Sequence, residues 1–286
     1  MSLYYLENEN LKIAVDSHGA ELSSVFSKRE NREYLWQGDP AFWGRKSPVL
    51  FPVVGKYRGS KTTYNGVEYS LGQHGFARDS EFSLLTQTEE VISFELCADS
   101  ETLSKYPFEF RLICSFKLTE NRITVGWQVE NADDKTMYFS IGAHPVFYCE
   151  KGKTVLTIKN GNGIKYNLLN GDGLYTYEKH DIAPFFTVNE EIFDNDALII
   201  ENSGVDEISL SDNGREYLSV KFDAPLFGIW SPAKKNAPFV CIEPWHGRCD
   251  AFDFSGDLTE REWGNSLETG EKFCKEYEIT VNGKTV

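Results

Sequence analysis

Apolar and polar residues alternate with a period of two wherever a pattern can be counted along this chain. Phe108, Phe110, Leu112, Cys114, Phe116 and Leu118 interleave with Glu109, Arg111, Ser115 and Lys117, and only Ile113 breaks the alternation. Ile123, Val125, Trp127 and Val129 repeat it against Thr124, Gln128 and Glu130, as do Leu218, Val220 and Phe222 against Ser219 and Lys221. This period predicts half-buried antiparallel strands. Asn65-Gly66 between Thr62-Thr63-Tyr64 and Val67-Glu68-Tyr69 predicts a two-residue hairpin turn, because both residues tolerate positive φ. Helical signals are short. Asp39-Pro40 offers an N-cap acid with proline at the first helical position, and Ser100 to Tyr106 and Thr259 to Trp263 are each long enough for a turn or two.

No repeat of 20 to 50 residues and no Pro-rich, Ser-rich or single-sign linker divides the sequence. The expectation is one large all-β domain over residues 1–286, a sandwich or a closed barrel, since periodicity does not choose between them. Composition agrees. At 286 residues, with 41% hydrophobic and 14% aromatic side chains, the chain can bury a large core and is not disordered.

Charge then narrows the partners. A net charge of −15 repels phosphate backbones and anionic lipid surfaces, so neither nucleic acid nor a membrane is expected as a partner. No apolar stretch approaches the ~18 to 20 residues that span a bilayer, and the first ten residues lack a basic segment followed by an apolar one. A cytoplasmic location follows as the expectation. The six cysteines contain no C-x-x-C pair and read as free thiols.

Two segments depart from the alternation in the same way. Phe139 to Pro145 and Phe239 to Trp245 each run as an apolar strand into an ionisable residue followed by proline, His144-Pro145 and Glu243-Pro244. Proline biases its predecessor to extended geometry, which predicts both side chains at strand ends with defined directions. By parity His144 shares a face with Ser140 and Gly142, whose small side chains leave space, and Glu243 shares one with Cys241 and Phe239. A carboxylate in such company must be paired or have its pKa raised. A raised Glu and a near-neutral His make an acid/base couple. The plainer alternatives are an ion pair of Glu243 with Arg248 and a satisfied core histidine at 144.

Other segments are weaker. Gln73-His74-Gly75-Phe76-Ala77-Arg78 places His and Arg around a glycine where backbone can approach a ligand, or is an ordinary strand-edge loop. Arg45, Lys46, Lys56, Arg58 and Lys61 form a run without an acid, suited to an anionic group such as a sugar phosphate if they converge. No phosphate-binding loop, dinucleotide fingerprint, G-x-S-x-G elbow or metal-spaced histidine pair is present, so no cofactor and no metal is expected. The five histidines are too scattered along the chain to define a zinc site without spatial evidence.

Phe51-Pro52-x-x-Gly55, Gln73 to Arg78, Gly142-Ala143-His144-Pro145 and Cys241 to Trp245 with Gly247 and Asp250, in that order, resemble the aldose 1-epimerase (galactose mutarotase-like) family, nearest its bacterial LacX-like subgroup. The resemblance runs to Gly270-Glu271-x-Phe273 and so covers nearly the whole chain. It implies a single large antiparallel β-sandwich with a few short helices, a concave face that binds a pyranose, and no cofactor. It also implies that Glu243 is the general base at the C1 hydroxyl and His144 the general acid at the ring oxygen. His74 matches a second histidine that hydrogen-bonds the sugar, Asp196 falls near the family's substrate-binding aspartate, and Lys56 stands where many members carry a sugar-contacting Arg. Arg45 and Arg78 fall near bases that bind phosphate in hexose-6-phosphate mutarotases. Trp230, Trp245 and Phe147 are candidates to stack on the ring. The implied partner is a small hexose or hexose phosphate, bound by a monomer or homodimer. A protein that binds sugar without turning it over would need the same residues. Glycoside hydrolysis ranks below both, because only Glu243 is persuasively placed.

Overall fold

A computed structural model of the chain describes residues 2–282. Two large antiparallel sheets face each other. One has nine strands, in the spatial order Phe185–Thr187, Val155–Ile158, Glu207–Asp212, Arg215–Phe222, Lys272–Val281, Arg122–Asn131, Phe110–Thr119, Val91–Cys97 and Ser83–Gln87. The other orders Tyr175–Asp181, Lys165–Leu169, Leu198–Glu201, Leu226–Trp230, Phe239–His246, Ile141–Ala143 and Val49–Leu50, with Val146–Tyr148 also pairing Phe239–His246. Four N-terminal strands from Leu3 to Glu33 and two small ribbons complete the β-structure.

Alternation becomes burial as the sequence implies. Phe110, Leu112, Cys114, Phe116 and Leu118 are all buried, and Ile123, Val125, Trp127 and Val129 on the adjacent strand join them in the layer between the sheets. Ile113, the break in the pattern, lies half-buried on the opposite side. The main buried cluster draws on residues from Leu6 to Val281, so both ends of the described chain enter one core. Asn65 and Gly66 adopt φ values of 50° and 77° between paired Lys61–Tyr64 and Val67–Ser70. Ser100–Lys105 is an α-helix closed by an Asp99–Thr102 capping box. The third helical signal yields a 3₁₀ turn at Leu258–Glu260. The Asp39 signal does not make a helix. Asp39 caps one turn through Ala41 and the carbonyl bonds to Phe42 and Trp43, and no apolar stripe follows to extend it.

The strand Phe239–His246 sets the geometry of the site. All eight of its residues are buried, although a strand with one wet face would alternate. Val240 and Ile242 enter the core between the sheets, while Phe239, Cys241 and Trp245 belong to two smaller clusters on the other face. Loops cover that face in two patches, and the cavity described next lies where residues of both patches meet.

Candidate active site

Register brings the two X-Pro segments together. Gly142 pairs Trp245 and Val146 pairs Cys241, which sets His144 directly opposite Glu243 across neighbouring antiparallel strands. Pro145 falls in the gap between the short strands Ile141–Ala143 and Val146–Tyr148, where its missing N–H costs little pairing, whereas Pro244 lies within Phe239–His246 opposite Phe227. His144 Nε2 lies 3.4 Å from Glu243 Oε2. His144 follows a strand end as the sequence predicts, but Glu243 does not. It sits mid-strand, because Leu226–Trp230 continues the pairing on its other side with Gly228 opposite it.

The space above Gly142 is not free, contrary to the parity reading. The Trp245 indole fills it: a Cβ on Gly142 would lie 2.6 Å from Trp245 Cδ1, and one on Gly228 2.5 Å from Cη2. Two glycines on flanking strands thus let the ring lie flat beside Glu243. Around this floor a cavity of about 380 Å³ opens, with His74, Arg78, Asp196, Trp230 and Lys235 among its walls. That volume is near the lower end of small-molecule sites, about 300–1,000 Å³, and suits one monosaccharide better than a chain.

Burial acts on the pair in opposite senses. It drives the Glu243 carboxyl well above its ordinary range, helped by the nearby negative charge of Asp196 and opposed by the Trp245 indole, which comes near without forming a hydrogen bond. It drives the His144 imidazole down to about 3, with the positive charges of Arg78 and Arg45 adding to the effect. Trp43 stacks on His144 with ring centroids 4.6 Å apart, and Trp230 meets its edge at 5.5 Å. His74 lies at 5.8 Å. Its Nδ1 accepts the Gly55 N–H at 3.1 Å, so the neutral ring carries its proton on Nε2. Burial, then His144, Arg78 and Arg45, hold its pKa well below the ordinary value.

Four buried polar atoms of these cavity residues lack a hydrogen-bond partner among the described residues: Arg78 Nε, His144 Nδ1, Glu243 Oε2 and Trp245 Nε1. Buried polar groups are normally paired, so a cluster of unpaired donors and an acceptor around one cavity fits a ligand rich in hydroxyls.

Several sequence candidates fall elsewhere. Arg45 does not line the cavity; its guanidinium bonds Asp79 at 2.8 Å, beside Arg78. Lys56 also stands outside, behind Gly173, in a separate groove of about 890 Å³ that it shares with Arg58 and Lys61. Lys46 reaches Gln37. The basic run therefore diverges, because successive turns and strands send its side chains to different surfaces. Phe147 packs in the core between the sheets rather than on the sugar side. Gly75 approaches the backbone at Phe51, not a ligand: a Cβ there would lie 2.1 Å from the Phe51 carbonyl oxygen, and its φ of 73° suits glycine. Neither plainer reading of the Glu and His holds, since Arg248 pairs with Glu201 and Glu262 and covers the Tyr175 ring, and His144 Nδ1 is unsatisfied.

Sequence reasoning passed over Trp43 and Lys235. The Asp39-Pro40 turn was the available signal for Trp43, whose aromatic neighbour Phe42 also lines the cavity. Lys235 donates to the Phe42 carbonyl at 2.8 Å and so ties the loop after Trp230 to that turn. Its own segment carries no pattern that would reveal this.

The chain that folds into this β-sandwich belongs to the aldose 1-epimerase family, whose sequence model matches residues 2–280. Among its relatives is the plasmid-encoded protein LacX of Lactococcus lactis, 28% identical over 96% of this chain and 98% of that protein. A galactose mutarotase related enzyme from Lactobacillus acidophilus is 35% identical and superposes with a TM-score of 0.94 over 99% of this chain and 98% of that one. A galactose mutarotase-like protein from Lactobacillus casei, 28% identical, gives 0.93 over 98% and 100%. No helix among the described residues is long and apolar enough to cross a membrane.

Proposed function

We propose that this protein interconverts the α and β anomers of a neutral aldohexose, with Glu243 and His144 moving the protons. The observation that carries the reading is the 3.4 Å approach of Glu243 Oε2 to His144 Nε2 at the floor of the cavity. Opening a hemiacetal takes a proton from the C1 hydroxyl and gives one to the ring oxygen, two oxygens on the same carbon. Two groups this close can serve both at once. Glycoside cleavage uses two carboxylates about 5 Å or more apart around a water or a covalent intermediate, and no second buried carboxylate faces Glu243 among the described residues.

The protons balance as follows. Glu243 as carboxylate accepts from the C1 hydroxyl while imidazolium His144 donates to the ring oxygen, and the C1–O5 bond breaks to leave the open aldehyde. The pair is then a neutral carboxylic acid and a neutral imidazole. Rotation about C1–C2 and the reverse transfers close the ring as the other anomer. Burial favours that neutral pair on both residues. The carboxylate and imidazolium that start the cycle are therefore the costly state of the pair, which contacts to the bound sugar have to support. Hydroxyls of the closed sugar, together with the Trp245 indole, support the carboxylate at the start. His74 with its fixed Nε2–H and Asp196 at the rim hold the remaining hydroxyls, and Trp230 offers an apolar ring face.

A neutral sugar is preferred because the bases diverge. Among the described residues, Arg78 and Lys235 are the only Arg or Lys side chains on the cavity wall, and Asp196 lines it with opposite charge. NMR exchange between anomers of glucose, galactose and their 6-phosphates tests the reading. Wild type should accelerate exchange of the free hexoses, and Glu243→Gln should lose about 10²- to 10⁴-fold while binding sugar within about tenfold. A wild-type rate in that variant removes Glu243 as base. Sugar binding without exchange would instead support a binding protein, and a tenfold advantage of the 6-phosphate that Arg78→Ala abolishes would overturn the neutral substrate.

A further inference from the structure

A third donor lies beside the proton-transfer pair. Cys241 precedes Glu243 by two residues on the same strand, so both side chains project to the cavity-side face, and its thiol is fully buried. The donor atoms of His144, Cys241 and Glu243 all lie within 4.8 Å of one another. One of them is unsatisfied: Glu243, 1% exposed, has no hydrogen-bond partner on Oε2 among the described residues. We propose that His144, Cys241 and Glu243 form a binding site for Zn²⁺, and that the ion inhibits the enzyme by occupying its acid/base pair.

The donor set is an imidazole nitrogen, a thiolate and a carboxylate, the ligand types that zinc takes in protein sites. Zinc bonds of about 2.0–2.3 Å in a tetrahedron require the donors to close to roughly 3.3–3.8 Å. His144 and Glu243 are already at 3.4 Å. The site then needs only Cys241 Sγ to move in, by about 1 Å at most. On binding, the thiol and the carboxyl release their protons to water and the imidazole stays neutral. Two anionic donors cancel the two charges of the ion, so the occupied site is neutral overall, which a buried location favours. The three protein donors leave a fourth position to water or a sugar hydroxyl. His144 Nδ1 lacks the outer hydrogen bond that normally orients a zinc histidine. Such a loss costs about 10- to 100-fold in affinity, so a micromolar rather than nanomolar site is expected.

The inhibitory part rests on the proposed roles of Glu243 and His144; the binding part does not. The test uses the full chain without a histidine tag, titrated with Co²⁺ and then with Zn²⁺. Wild type should show one equivalent of Co²⁺ with a thiolate-to-cobalt charge-transfer band, and Zn²⁺ should displace it. Cys241→Ala should lose the band, with Cys241→Ser as the second variant if the first does not fold, while Cys97→Ser/Cys274→Ser, which removes the two exposed thiols, should keep it. Zn²⁺ should slow wild-type anomer exchange at least tenfold, EDTA should restore it, and Cys241→Ala should exchange sugar at the basal rate but resist zinc. A wild type without the band, or a band that survives in both Cys241 variants, overturns the site. A band without inhibition overturns the inhibitory role. A protein that binds cobalt through Cys241 yet exchanges no sugar supports the site and overturns the proposed catalysis instead.

Discussion

Gly228→Ala should damage the site through one aromatic ring, and the damage should be reversible by shortening that ring. The added Cβ would lie 2.5 Å from Trp245 Cη2 and 2.6 Å from Cζ2, about 1 Å inside the ~3.5–4.0 Å optimum for carbon pairs. Glu243 faces Gly228 in register, and the strand is buried on both faces, so the ring has no free direction except toward the cavity. Overpacking of this kind costs ~1–3 kcal/mol. At ~2–4 °C per kcal/mol for chains approaching this size, the melting temperature should fall by about 2 to 12 °C. Anomer exchange should fall further, by about 10- to 100-fold, because a displacement of about 1 Å beside Glu243 disturbs positioning more than stability. Trp245→Phe lacks the outer ring that meets the new methyl group but keeps the inner edge that meets Gly142. In the Gly228→Ala background it should therefore restore stability, with a coupling of ~0.5–3 kcal/mol measured in a double-mutant cycle. In a Gly142→Ala background, where the Cβ would lie 2.6 Å from Cδ1, it should restore nothing. Thermal melts and polarimetric exchange rates on the five variants decide the matter. Additive effects, or equal rescue of both alanine variants, would refute the claim that the indole lies between these two glycines.

Two further tests concern the framework. Burial, aided by Lys275, holds His246 neutral down to about pH 4, so the unfolded chain binds the extra proton between about pH 6.5 and 4 and stability should fall as pH drops through that window; the slope of melting temperature against pH should be shallower in His246→Gln, and an unchanged slope would remove His246 from the account. Arg261 bonds the buried Asp250 at 2.7 Å, so Arg261→Met, which strands that carboxylate, should cost ~3–5 kcal/mol, and a melting temperature within about 2 °C of wild type would show that the Arg58 N–H on the other carboxyl oxygen suffices alone.

Much of the fold was legible because strand burial is a local property. The alternations around 110–118, 123–129 and 218–222 each report which face a residue takes, and each is answered by a buried face in the structure. Individual site residues were legible for a similar reason: His144-Pro145 and Glu243-Pro244 are short segments in which an ionisable side chain ends an apolar run. Their pairing was not. It depends on the register between two strands far apart in sequence, which no local pattern encodes. The same limit explains the basic run, where closeness along the chain gave no closeness in space, and Trp43 and Lys235, whose places follow from how two surface loops meet.

The energetic logic of the site lies in what surrounds the unpaired groups. Glu243, buried with an unsatisfied oxygen, is destabilising by the ordinary cost of such a group, several kcal/mol for a charge and less for the neutral acid. The residues just past its strand are paired as tightly as Glu243 is not. Arg248 binds Glu201 at 2.6 Å and covers Tyr175, Arg261 binds Asp250 and the Arg248 carbonyl, and Asp250 takes the Arg58 N–H at 2.8 Å. These contacts fix the chain from Gly247 to Asp250 against four other segments, at Arg58, Tyr175, Glu201 and Arg261. That anchoring holds the strand in register even though its central polar pair contributes nothing to the fold. A pair that moved protons as proposed would alter its own strand's stability at every transfer if it also secured that strand. Placing the permanent ion pairs a few residues beyond Glu243 separates the two tasks.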